Sequence, residues 1–166
     1  MADDGKILKK KIENGFTASL YQFNQIGKNS SYTEIMKKNY ENGFSQVIIN
    51  TELMLTITES MLRDEWTLIS IHIDDPSVDE ETKQEINSFV EMIRSNPLNF
   101  NKLSNYLDWA LDEGSIFIDK IKMSKKIDDE YPFCELYSNG LLFGSAKDVV
   151  FANYLQKIVE DYLNEW

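Results

Sequence analysis

Residues 72–82, HIDDPSVDEET, hold the only histidine of the chain and five carboxylates, those of Asp74, Asp75, Asp79, Glu80 and Glu81. Imidazole and carboxylate are ligands for zinc, iron or manganese. A strand holds side chains two apart on one face, so His72 and Asp74 would point the same way, with Asp75 or Asp79 adding oxygens. The same residues suit acid–base chemistry, His72 as base and Asp74 as its orienting partner. Both readings lack a second histidine, and neither an HExxH nor an HxxxE spacing occurs.

A structural reading uses more of these residues. Ser77 is a good N-cap, and Glu80 three positions on completes a capping box. Asp79, Glu80 and Glu81 then occupy the first helical turn, where the positive end of the helix dipole favours each carboxylate by about 0.3–1 kcal/mol. Pro76 stops the preceding strand. The segment is therefore expected to be a helix start with charge left over. No catalytic residue, metal ligand or cofactor site is assigned.

Cys134 is the only cysteine, which excludes an internal disulfide and a cysteine-built metal centre. No base stands near it in sequence, and it is expected to be a small core thiol. The seven glycines are scattered and form no phosphate-cradling loop. Further carboxylates gather in LDWALDEG (Asp108, Asp112) and DDEY (Asp128, Asp129, Glu130), without the spacing of a calcium loop. Tyr106, Trp109, Tyr131 and Tyr137 lie near these acids. An acidic rim around aromatic anchors suits the binding of a basic protein, although core packing accounts for aromatics equally well.

The elements that must position these groups follow from periodicity. EWTLISIHIDD alternates as a strand, with Ile69, Ile71 and Ile73 on one face and Leu68, Ser70 and His72 on the other. SVDEETKQEINSFVEMIRS predicts a helix burying Ile86, Phe89, Val90 and Ile93. NFNKLSNYLDWALDEG predicts another, lined by Phe100, Leu103, Tyr106 and Leu107 and stopped by Gly114. SIFIDKIKM reads as a strand. Two apolar runs joined by Asn139-Gly140 predict a hairpin. A final helix, capped by Ser145 with Asp148, buries Phe151, Leu155, Ile158, Val159 and Tyr162.

Earlier in the chain, Ile7, Leu8, Ile12 and Phe16 fit a helical stripe interrupted by Glu13-Asn14-Gly15. Ser31 and Glu34 have capping-box spacing for a helix to about Tyr40. The apolar positions from Phe44 predict a long buried helix to about Asp64, although VIINTELMLTIT has the β-branched content of a strand. The expected fold is α+β: one globular domain over 1–166, mainly helical, with a small, mostly antiparallel sheet that includes the Asn139-Gly140 hairpin.

The net charge of −11 is unevenly spread. Residues 1–50 hold seven lysines and five acids; residues 51–166 hold ten basic and 23 acidic residues. A negative surface of this kind repels phosphate backbones and attracts cationic partners, so direct nucleic-acid binding is not expected. Acidity also serves solubility alone. No apolar run approaches a membrane span, and the N-terminal residues lack a signal-peptide pattern, which leads to the expectation of a cytoplasmic protein.

Three functions fit. One is a non-catalytic inhibitor of the immunity or antitoxin type, which neutralises a basic, nuclease-like bacterial toxin by covering its active site; the richness in Lys, Asn, Ile and Glu also suits an AT-rich accessory gene. Its candidate contacts are Asp74, Asp75, Asp79, Glu80 and Glu81, with Asp108, Asp112, Asp128, Asp129 and Glu130 as a second set. The alternatives are an acidic secretion chaperone or adaptor, or a phage-encoded charge mimic. The third, an enzyme using His72 and the Asp74/Asp75 pair with a metal, ranks below both.

Overall fold

The computed structural model describes residues 5–22, 32–74, 76, 78–112, 116–144 and 150–165. The fold is α+β: among the described residues there are five α-helices and seven strands, whose described pairings are all antiparallel. The expectation of a mainly helical chain is overturned, because the N-terminal region and residues 44–46 form strands. The chain clusters into two compact units, Met1–Ile48 with Asn139–Trp166, and Ile49–Ser138.

The first unit is built on β1 (Gly5–Ile12) and β2 (Gly15–Gln22), a hairpin with Glu13-Asn14 as its two-residue turn. These residues had been expected to form a helical stripe. Gly5 to Leu8 are all buried, Lys6 among them, so this part of the strand shows no apolar–polar alternation to read. The second edge of β1 is shared. Leu8–Lys10 pair with β3 (Phe44–Gln46), and Gly5 and Lys6 pair with β7 (Leu141–Gly144). Two helices complete the unit, α1 (Tyr32–Glu41) and α5 (Val150–Leu163). Ile7, Leu8, Met36, Val47, Leu142, Leu155 and Val159 are buried in it.

Gly43, which follows α1, adopts φ 88°, the left-handed conformation that ends helices. Asn139 and Gly140 lie in the turn that leads into β7, as their dipeptide predicts. Gly140 has φ 87°, and its carbonyl accepts the Ile7 N–H at 2.9 Å. A Cβ there would meet the Ile7 carbonyl at 3.0 Å, so both the turn and the close approach require glycine. Ser31, Ser145 and Asp148, expected to cap helices, and Gly114 lie outside the described residues.

The second unit opens with α2 (Thr51–Arg63), capped by Asn50, whose side chain accepts the Leu53 N–H at 2.8 Å. The helix expected from Phe44 thus begins seven residues later, since Asn50 offers the cap and the preceding residues run as strand and loop. β4 (Thr67–His72) follows, then α3 (Glu80–Ser95), a 3-10 turn (Pro97–Asn99), α4 (Phe100–Asp112), β5 (Lys120–Ser124) and β6 (Phe133–Tyr137). β5 pairs with β4 on one side and β6 on the other.

Alternation sorts the β5 and β6 side chains. Ile121, Met123, Cys134 and Leu136 are buried, whereas Lys120, Lys122, Phe133, Glu135 and Tyr137 are half-buried. β4 departs from the expected alternation. A bulge between Leu68 and Ser70 leaves Ile69 without a partner on β5, so the fully inward residues are Leu68 and Ile71, three apart. Helices α3 and α4 follow their predicted stripes. Ile86, Val90 and Ile93 on α3 and Phe100, Leu103 and Leu107 on α4 are buried, and the Phe89 and Tyr106 rings meet at 5.3 Å.

Candidate functional site

The acidic segment at 72–82 resolves into a strand end and a capped helix. Asp79 is the N-cap of α3, its Oδ1 accepting the Thr82 N–H at 2.7 Å. The cap had been expected at Ser77, which lies outside the described residues, as does Asp75. Both Ser and Asp cap well, so the local sequence offers two starts two residues apart, and the helix takes the later one. Hydrogen bonds from Thr82 hold the Asp79 carboxyl below its ordinary pKa. Glu80 and Glu81 sit in the first turn and are exposed.

His72 lies at the end of β4, opposite Lys120. Its Nδ1 is 3.3 Å from Oδ2 of Asp119, on the segment leading into β5. The carboxylate beside the imidazole is therefore Asp119 rather than Asp74, which is exposed beyond the strand. The sequence reading missed Asp119 because 47 residues separate the pair. The side chains are 55% and 32% exposed, so water competes for both. Among the described residues, no group of three or more His, Cys, Asp and Glu side chains stands close enough to hold a metal ion.

On the half-buried face of β5 and β6, Glu135 receives two lysines, Lys120 at 3.4 Å and Lys122 at 3.8 Å. The ammonium groups also lie over rings, Lys122 at 4.6 Å from the Phe133 centroid and Lys120 at 5.4 Å from that of Tyr137. Burial opposes the charge of Lys120, but attraction to Glu135 prevails and raises its pKa. The alternating lysines of DKIKM gave a signal for this face that the acidic stretches overshadowed. Cys134, on the opposite face, is buried among apolar groups, and that burial pushes its thiol pKa far up.

The second set of carboxylates sits elsewhere. Beyond β5 and before β6 the chain continues as a short ribbon past the start of β4: the Lys125 N–H donates to the Pro132 carbonyl at 3.1 Å and Ile127 bridges Glu130, with Asp128 and Asp129 at the tip. Both aspartates have positive φ, 49° and 66°, as a type I′ hairpin turn demands. Asp108 is exposed on α4. Asp112 ends that helix, and its side chain, like that of Trp109, lies outside the described residues.

The carboxylates of Asp128, Asp129 and Glu130 therefore do not share a patch with those of Asp74 and Asp79. His72 pairs with Lys120 at one end of the β4–β5 ladder, and Thr67 pairs with Ser124 at the other. Asp74 and Asp79 follow the first end, whereas the Asp128-Asp129 turn lies beyond the second. At about 3.3 Å per residue, the paired strands alone separate them by roughly 13 Å. Asp64 joins the ribbon end, its carboxylate 3.7 Å from Lys125.

Charge separates by unit. The first unit holds nine basic and nine acidic residues; the second holds eight basic and 19 acidic ones, which is the whole net charge of −11. No helix among the described residues is long and apolar enough to cross a membrane. No family model matches the chain, and no match was found among curated proteins or solved structures.

Proposed function

We propose that the protein is an acidic, non-catalytic protein-binding module, and specifically an inhibitor of the immunity or antitoxin type that covers the active site of a basic, nuclease-like toxin. The observation that carries this reading is the confinement of the entire −11 charge to residues 49–138. Acidity serving solubility alone has no reason to leave the other half of the chain at zero. A concentrated negative body raises the encounter rate with a cationic surface and suppresses binding to wrong, acidic partners. The His72–Asp119 pair, open to water, gives less support to catalysis.

The test begins with affinity capture from lysate of the source cell at low and high salt. One basic protein, recovered in equal stoichiometry, released by salt and inactive while bound, is the expected result. Neutralisation of Asp128 and Asp129 to Asn, which tolerates the same positive φ, and of Glu130 to Gln should then slow association and flatten its salt dependence while leaving folding intact. A captured partner that is acidic, or that binds equally well at all salt concentrations, would refute the reading.

A further inference from the structure

We infer that an open cleft in the second unit, where α2 ends and α4 begins, is the docking point for the basic partner and receives an apolar side chain flanked by Lys or Arg. This rests on the binding function proposed above and adds a location and an anchor chemistry to it. The cleft measures about 280 Å³. Leu62, Pro97, Leu98 and Phe100 give it apolar walls, and Glu59 and Arg63 also line it. Small-molecule sites occupy about 300–1,000 Å³ and enclose their ligand, so this open space suits a side chain or two rather than a cofactor.

Leu98 is 78% exposed, the largest exposure among the large hydrophobic residues described. Its backbone is nevertheless held in place. Pro97 fixes the preceding backbone, Asn96 Oδ1 accepts the Leu98 N–H at 3.1 Å, and Asn99 Nδ2 donates to the Met92 carbonyl at 2.9 Å. An apolar side chain facing water on an already ordered backbone needs no backbone ordering on being covered, which suits a binding anchor.

Charge complementarity identifies the occupant. Asp64 directly follows the α2 residues of the cleft and contacts Lys125 at the root of the β5–β6 ribbon. That ribbon carries Asp128, Asp129 and Glu130 beside Ile127 and Tyr131, which are 38% and 67% exposed. One end of the unit thus combines an apolar cleft, further exposed apolar groups and an acidic margin. Glu59 is engaged by an exposed pairing with Arg63 on the next turn, at 2.6 Å, which an incoming cation can take over. At the other end, the carboxylate of Asp79 is already engaged as a helix cap.

The probes are two short peptides of equal positive charge, one of lysine and glycine only, the other with a single tryptophan between lysines. Each is titrated into the isotopically labelled full chain and followed by amide shifts. The tryptophan peptide should bind roughly tenfold more tightly, since burying one large side chain brings a gain of that order. Its shifts should centre on residues 59–66 and 97–101. Leu98→Ser should reduce its affinity to that of the lysine-only peptide with no change in melting temperature. Equal binding of the two peptides, or shifts centred on residues 72–85, would overturn the docking site while leaving the acidic-binder reading intact. Failure of both peptides to bind at low salt would overturn both.

Discussion

The side chain of Asn164, just past the end of α5, forms two hydrogen bonds with the backbone of Phe16 on β2. The Phe16 N–H donates to Oδ1 at 2.8 Å, and Nδ2 donates to the Phe16 carbonyl at 3.0 Å. The carboxamide supplies to this edge of β2 what a neighbouring strand would, joining residues 148 apart in the chain. Gly15 stands beside it at φ 149°, and a Cβ there would run into Asn164 Oδ1.

Gly15→Ala and Asn164→Ala should each destabilise the first unit by about 1–2 kcal/mol, the former through strain and clash, the latter through lost hydrogen bonds. Their effects should not add. With Asn164 truncated, the added methyl has nothing to strike and retains only its backbone cost. Urea unfolding of the double-mutant cycle, with exchange of the Phe16 amide as a local probe, checks the coupling.

Thr51→Val should cost about 2 kcal/mol despite its nearly unchanged shape. The buried Thr51 hydroxyl donates to the Ile116 carbonyl at 3.3 Å and accepts the Ile118 N–H at 3.2 Å, tying the start of α2 to the segment before β5. Valine leaves both backbone groups buried without that partner. Thr51→Ser should recover most of the loss in the same denaturation assay.

The cap of α3 gives a pH dependence of defined sign. The Asp79 pKa is lowered in the folded chain by its hydrogen bonds from Thr82, so the carboxylate's contribution is fully present above the unfolded carboxylate pKa. It disappears as pH falls through the lower folded value. Asp79→Ala should therefore lower the melting temperature at neutral pH and have no such effect in strong acid. Asp79→Asn, which caps without titrating, should remove the pH dependence and keep the helix. Melting curves of the three proteins across the acid range test this.

Cys134 should react with a thiol reagent only as fast as the second unit opens. Its side chain is buried, and burial disfavours the thiolate that does the attacking. The labelling rate should rise with urea in parallel with unfolding. Rapid reaction of the native protein would show the thiol to be accessible.

Legibility in the sequence followed the locality of each signal. Helices α3 and α4 were readable because Ile86, Val90, Ile93, Leu103 and Leu107 recur at helical spacing and their burial follows from it. The β1–β2 hairpin was not. Burial of Lys6, Ile7 and Leu8 in succession removes the period of two, and only Glu13-Asn14-Gly15 marked the turn. The acidic segment was correctly read as a helix start, but two capping residues two positions apart left its first residue open. The His72–Asp119 contact and the cleft between Leu62 and Leu98 depend on elements brought together by folding, and no window of sequence contains them.

The bulge in β4 makes Ile69 a supernumerary residue. Leu68 faces Met123, Ser70 faces Lys122, and the two facing residues on β5 are consecutive, so the ladder would close without a gap if Ile69 were excised. Excision of Ser70 would close it as well, with Ile69 then facing Lys122, so the strand carries one residue more than its ladder needs. The backbone at the bulge is thus released from the β4–β5 ladder for another use. That use is a link to α3: the Ile69 carbonyl accepts a hydrogen bond from Arg94, 25 residues along the chain, at 3.2 Å.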